Sequence, residues 1–213
     1  MKRWALAAIG IGAGLAGAGG YWFLGREGSP PAAEPTRPQP TVSAGPQALP
    51  PRLAETVPDF QLVDREGRTR SLKDWQGKSL VVNFWATWCA PCRREIPLLQ
   101  RIARDRASQG FEVVGIAVDF RDKVLAYADE MKIGYPLLIG EQDALDAAAA
   151  FGVDAIGFPF TVFTDAQGRV ITAQMGELSQ GVADVILDEV AAVNSGEQTP
   201  EGARKVIHAL LRK

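Results

Sequence analysis

The sequence predicts an α/β domain, with a mixed central sheet and helices on both faces, carried behind an N-terminal membrane-spanning segment. Three observations point there. Between Val57 and Val193, apolar runs of strand length alternate with segments of helical period and end in a two-strand hairpin. A long charge-free run opens the chain, and a proline-rich stretch separates that run from the domain. The divisions expected are an anchor over 1–25, a linker over 26–55, the domain over 56–196 and a tail over 197–213.

The opening run, Trp4 to Leu24, has twenty-one residues without a charge, about the ~20 needed to cross a hydrocarbon core. Lys2 and Arg3 precede it with no acidic counterweight, which keeps the N-terminus in the cytoplasm and sends the rest outward. Trp4, Tyr21 and Trp22 suit the two interfaces. Ala16-Gly17-Ala18 also resembles a small-residue cleavage site, so a removed signal peptide is the alternative. Either way the domain is exported. From Gly28 to Pro58 nine prolines stand among Ala, Thr, Gln and Ser, the composition of a semi-extended spacer.

The domain opens at Val57-Pro58-Asp59-Phe60, where Phe60 and Leu62 alternate with polar residues up to a turn at Asp64-Arg65-Glu66-Gly67. A short helix is expected around Ser71 to Trp75, then a buried strand from Ser79 to Trp85. Ile96, Leu99, Ile102 and Ala103 give helical spacing from Cys92 to about Ser108, closed by Gly110. A second central strand runs from Phe111 to Val118. Asp122 to Lys132 reads as a helix, Tyr135 to Ile139 as a short strand and Asp143 to Phe151 as an alanine-rich helix. Phe160 to Phe163 and Arg169 to Met175 flank Asp165-Ala166-Gln167-Gly168, which is hairpin chemistry. Leu178, Val182, Val185, Ile186, Val190 and Val193 mark a last amphipathic helix, and Val206, Ile207, Leu210 and Leu211 allow one more short helix in the tail.

With 23 basic against 25 acidic residues, the net charge of −2 leaves no electrostatic footprint for nucleic acid. Both cysteines of the chain, Cys89 and Cys92, belong to one Cys-Ala-Pro-Cys motif. Two cysteines and the distant His208 are too few for a structural zinc site, and Arg93 stands where haem attachment needs a histidine. A structural disulfide closing so short a loop would stabilise weakly. At a strand-to-helix junction, unpaired backbone N–H groups and the helix dipole favour the Cys89 thiolate, the attacking group of disulfide exchange. Cys92, one turn further in, would resolve the mixed disulfide, with Pro91 placed where a helix tolerates proline.

The stretch Val82-Asn83-Phe84-Trp85-Ala86-Thr87-Trp88-Cys89-Ala90-Pro91-Cys92-Arg93-Arg94-Glu95-Ile96-Pro97 resembles the active-site region of the TlpA/ResA/CcmG (DsbE) group of thioredoxin-like proteins. Val57-Pro58-Asp59-Phe60, Gly115-Ile116-Ala117-Val118-Asp119 and Gly157-Phe158-Pro159-Phe160-Thr161-Val162-Phe163 match in order, so the resemblance covers about Val57 to Val193. It implies a thioredoxin-like fold and no cofactor beyond a redox-active Cys89–Cys92 disulfide. It also implies that Pro159 is a cis-proline beside the pair, that Phe158 offers backbone groups to an extended substrate, and that Trp88, Ala90 and Pro91 line the same surface. Pro97 would kink the active-site helix. Asn83 occupies the position where cytosolic thioredoxins carry a buried aspartate, so the proton-acceptor duty is expected at Glu95, where members similar to ResA carry a glutamate. A solvated Glu95 paired with Arg93, Arg94 or Arg101 is the alternative. Trp85 and Trp88 would flank the sulfur, as sulfur-packing rings or as core and rim residues, and Arg93 and Arg94 would make the site mouth electropositive.

The function this implies is protein-disulfide reduction outside the cytoplasm, from a single-pass bacterial inner-membrane anchor with the domain in the periplasm. Clients would be proteins of cytochrome c or copper-site assembly, and the electron source a DsbD/CcdA-type membrane donor. The same chemistry run backwards makes an oxidase or isomerase. A peroxidase is a weaker fit, since Thr87 stands two residues before Cys89 with no proline ahead of it in that strand. A non-catalytic metallochaperone is disfavoured by the scarcity of His and Met ligands.

Overall fold

The computed structural model describes residues 53–153 and 157–211. The expected anchor and nearly all of the linker lie outside the described residues. Among the described residues, no helix is long and apolar enough to cross a membrane.

Seven strands form one mixed sheet in the order β2-β1-β5-β4-β3-β6-β7. They are β1 (Leu62–Asp64), β2 (Thr69–Arg70), β3 (Ser79–Trp85), β4 (Phe111–Val118), β5 (Leu137–Gly140), β6 (Phe160–Thr164) and β7 (Val170–Met175). β3, β4 and β5 run parallel at the centre, and the outer pairings are antiparallel. Among the described residues five α-helices cover it: α1 (Ala90–Asp105), α2 (Arg121–Glu130), α3 (Gln142–Ala150), α4 (Gln180–Ser195) and α5 (Pro200–Leu211). This is the thioredoxin-like arrangement the sequence predicts.

β3 shows why its run of apolar residues reads as a central strand. Val81 and Trp85 enter the core under α1, α2, α4 and α5, while Leu80, Val82 and Phe84 enter a second core under α3. Both faces are buried, so no alternation is visible in the sequence. One turn device occurs twice: Asp64 Oδ1 accepts from Glu66 N and Arg68 N, and Asp165 Oδ1 accepts from Gln167 N and Arg169 N. Gly67 and Gly168 supply the positive φ of 83° and 76° that each turn needs. The first turn therefore closes a hairpin too, with the two-residue β2 as its return strand.

Boundaries shift by a few residues for local reasons. α1 begins at Ala90, because Cys89 is its N-cap, and its end tightens into a 3-10 turn over Ala107–Gln109 before Gly110 turns the chain at φ 83°. β5 begins only after Pro136, which has no N–H to add to the ladder. The segment ahead of Pro58 is part of the fold: Ala54 N donates to Phe151 O at 2.8 Å, Val170 N to Glu55 O at 2.9 Å and Val57 N to Gly168 O at 2.9 Å. α5 likewise buries Ala203 and Ile207 in the core shared with α1 and α4.

Candidate active site

The site stands at the carboxyl ends of β3 and β4, where the chain leaves β3 and enters α1. Cys89 and Cys92 are joined as a disulfide. The Cys89 sulfur is the N-cap acceptor of Cys92 N at 3.2 Å, so it sits against the unpaired amides of the first turn. Pro91 lies within that first turn, where its missing N–H is no loss. Cys89 keeps 5% of its surface exposed and Cys92 none. Access therefore singles out Cys89 as the sulfur a partner can meet.

Glu95 lies one helical turn after Cys92 and points inward, with only 2% of its surface exposed. Its Oε1 accepts from Asn83 Nδ2 at 2.7 Å and its Oε2 from Leu178 N at 2.7 Å. Asn83 itself is buried in β3 and also donates to Thr161 Oγ1 at 3.0 Å. The arginines are engaged elsewhere: Arg94 Nε with Glu177 Oε2 at 3.0 Å, Arg93 over the Tyr127 ring at 5.3 Å and Arg101 with Gln180 Oε1 at 3.1 Å. A solvated glutamate paired with these arginines is therefore not what the structure contains. Burial pushes the Glu95 carboxyl up to about 7, against the opposing pull of the Leu178 amide and Asn83, with Glu177 adding a push in the same direction.

The tryptophans part company. Trp85 is fully buried against Tyr127, a core residue, whereas Trp88 is exposed and meets the half-buried Phe158 edge-on at 6.1 Å between ring centroids. The Phe158–Pro159 peptide is cis, as the resemblance implies, and Pro159 is buried. Ala90 is exposed and Pro91 half-buried beside the pair. Pro97 lies inside α1.

Three contacts escape a reading of sequence alone. The Leu178 amide and the Arg94–Glu177 ion pair come from a loop more than eighty residues away in sequence. Thr87 donates to Asp119 Oδ2, tying the approach to Cys89 to the end of β4. The Asp that ends the Gly115-Ile116-Ala117-Val118-Asp119 match was the one available signal.

Residues 53–173 match the model of the AhpC/TSA family. This chain belongs to that family. Among curated proteins it resembles, it is 35% identical over 119 residues to the thiol-disulfide oxidoreductase ResA of Geobacillus thermodenitrificans. That match spans 55% of this chain and 66% of the relative's length, just under two thirds. It is 31% identical over 140 residues to the thioredoxin-like protein YneN of Bacillus subtilis, covering 63% of this chain and 78% of that one. The structure of a thiol:disulfide interchange protein of the thioredoxin family from Chlorobium tepidum TLS superposes with a TM-score of 0.58 at 33% identity, over 66% of this chain and 97% of that one. The described domain thus has a thioredoxin-like fold with a Cys89–Cys92 disulfide at its site, and the relatives it resembles are named thiol-disulfide oxidoreductase, thioredoxin-like protein and thiol:disulfide interchange protein. Within the family, the Thr87 hydroxyl here is turned to Asp119 and not to the Cys89 sulfur.

Proposed function

We propose that the chain is an extracytoplasmic reductase of protein disulfides, held at a bacterial inner membrane by residues 1–25. In the reduced protein the Cys89 thiolate attacks a client disulfide, forming a mixed disulfide and releasing one client thiolate. Cys92 then loses its proton and attacks Cys89. The second client thiolate leaves, the Cys89–Cys92 disulfide forms, and two electrons have passed to the client.

The observation that carries this reading is Glu95. Cys92 has no exposed surface through which to lose a proton to water, and one turn away stands a carboxyl raised to about 7. Ionised, it accepts the Cys92 proton; Asn83 and Leu178 hold both of its oxygens in place for that task. Clients in cytochrome c or copper-site assembly, and recharging by the dithiol of a DsbD/CcdA-type membrane donor, follow from the resemblance to the TlpA/ResA/CcmG group.

The reduction potential of the pair tests the direction. The full chain in detergent is equilibrated against dithiothreitol or glutathione buffers, and thiols are counted after trapping. A potential near or below that of thioredoxin, about −270 mV, supports the reductase, and one near that of DsbA, about −120 mV, makes the protein an oxidant and overturns it. Rapid peroxide consumption by the reduced protein would favour the peroxidase reading instead.

A further inference from the structure

Among the described residues three buried side-chain polar atoms have no hydrogen-bond partner: Asn83 Oδ1, Trp85 Nε1 and Tyr135 Oη. All three residues belong to the side of the sheet beneath α1. Asn83 alternates with Val81 and Trp85 along β3, and Val81, Trp85 and Tyr135 share the core there. They also gather in one place. Gly115 is the register partner of Asn83, and a Cβ on it would lie 3.1 Å from both Trp85 Nε1 and Tyr135 Cε2. Buried polar groups in native folds are satisfied as a rule, so an orphan beside a reactive pair calls for a second state in which it is used.

The Asn83 carboxamide uses only its donors. Nδ2 carries two hydrogens, and both are given: to Glu95 Oε1 at 2.7 Å and to Thr161 Oγ1 at 3.0 Å. Oδ1 accepts nothing. This arrangement fits Glu95 as a carboxylate, because Leu178 N takes its other oxygen and each carboxylate oxygen then meets a donor. It does not fit the acid. Once Oε1 carries a proton, that O–H faces an N–H, and neither hydrogen has an acceptor. A half-turn of the carboxamide about its Cβ–Cγ bond removes the conflict without moving a neighbour, since the oxygen and the NH2 group are close in size. Oδ1 then accepts from Glu95 Oε1–H and from the Thr161 hydroxyl, which changes from acceptor to donor. Tyr135 Oη remains on that face as an unpartnered acceptor for an N–H.

We propose that Asn83 is a positioning residue whose carboxamide turns over with the proton of Glu95, holding the carboxylate through Nδ2 and the acid through Oδ1. This rests on the reading of Glu95 as acceptor of the Cys92 proton. In the resolving step the proton leaves Cys92 Sγ for Glu95 Oε1, no electrons move with it, and the new O–H turns to Asn83 Oδ1. The Cys92 thiolate is left free to attack Cys89. An aspartate at this position could not serve both states, because its carboxylate has no hydrogen to donate. The other titratable and charged groups around Glu95 do not compete for the proton. Glu177, from the loop after β7, is held below the usual carboxylate range by Arg94 of α1, and burial holds the Tyr135 hydroxyl, ahead of β5, above its usual range. Tyr127 of α2 packs on Trp85 and lies under Arg93.

The test follows the oxidised, isotope-labelled full chain in detergent through the Glu95 titration by NMR. As the pH falls through the Glu95 midpoint, the Asn83 carboxamide carbon should move downfield with the same midpoint, because its oxygen gains hydrogen bonds. The nuclear Overhauser contact between the Nδ2 hydrogens and the Thr161 methyl group should weaken over the same range. In Glu95→Gln neither signal should follow the pH. An Overhauser contact that stays constant across the midpoint overturns the turnover and leaves the reductase reading standing. For the reaction itself, pre-reduced wild type and Asn83→Leu are each given a cystine-bridged peptide in a single turnover. Mixed-disulfide formation should keep its rate, and resolution by Cys92 should slow about tenfold, the effect of one lost hydrogen bond to a charged group. Unchanged resolution, or an equal fall in both steps, overturns the positioning role. Should Asn83→Leu fail to fold, the wild-type titration decides alone. A reduction potential near that of DsbA would overturn the reductase reading while leaving the shared midpoint of Asn83 and Glu95 intact.

Discussion

Asn83 Nδ2 lies 2.7 Å from Glu95 Oε1, so the residue standing where cytosolic thioredoxins carry a buried aspartate donates to a carboxyl supplied from the helix instead. The acid has moved from strand to helix. It remains buried, and Leu178 N at 2.7 Å secures its other oxygen.

That placement has a consequence for stability. Burial raises Glu95 to about 7 in the folded protein, whereas an unfolded glutamate titrates at about 4.3. Between these values the native state keeps the proton and the unfolded state has lost it. Stability is therefore fully present below about 4.3 and falls as the pH rises through about 7, by on the order of 3 kcal/mol. Urea unfolding of Glu95→Gln should lack this fall, while the wild type shows it. The same pH dependence in both proteins would mean that Glu95 is not the buried acid described.

The Arg94–Glu177 ion pair adjusts the same carboxyl. Glu177 pushes Glu95 upward, while Arg94 holds Glu177 itself below the usual carboxylate range. Glu177→Gln should move the Glu95 midpoint down, and Arg94→Ala, which leaves Glu177 uncompensated, should move it up. A carboxyl-carbon NMR titration of the oxidised protein reads both. Shifts of the same sign in the two variants would show that loop displacement outweighs charge.

How far these features are legible in sequence depends on the range of the contacts involved. β3, α1 and the β6–β7 hairpin follow from apolar runs, the Cys89 junction and the Asp165-Ala166-Gln167-Gly168 turn, all local signals. Glu95 and Asn83 are readable as a vacancy and a substitute because both lie within the stretch that carries the resemblance. The Leu178 amide is not readable, since any residue there has an N–H and only the fold brings it to Glu95. β2 escapes because two residues carry no period. Trp85 and Trp88 look alike on paper, yet Trp85 ends β3 facing the core while Trp88 lies in the turn beyond the strand, in solvent.

Gly115 marks a close approach on the face that holds Asn83. A Cβ there would come within 2.7 Å of Leu137 Cδ2 and 3.1 Å of both Trp85 Nε1 and Tyr135 Cε2. Those three side chains are buried, so little can give way. Gly115→Ala should cost about 1–3 kcal/mol in chemical unfolding, as overpacked cores do. Wild-type stability in the variant would show that Leu137 changes rotamer freely.

The segment ahead of Pro58 is a strap, and its removal should show it. Ala54 N, Val57 N and Glu55 O each join a backbone hydrogen bond to a distant partner: Phe151 O, Gly168 O and Val170 N. Leu53 and Val57 also pack against the core beneath α3. At about 1 kcal/mol net for each hydrogen bond, a chain beginning at Pro58 should lose about 3 kcal/mol relative to one beginning at Leu53. For a domain of this size that is a fall of about 10 °C in Tm. The disulfide and Glu95 do not contact the strap, so the reduction potential should stay the same in the two chains. A lowered Tm with an unchanged potential would assign the segment to stability alone; a shifted potential would mean that the strap reaches the site through β6 and Pro159.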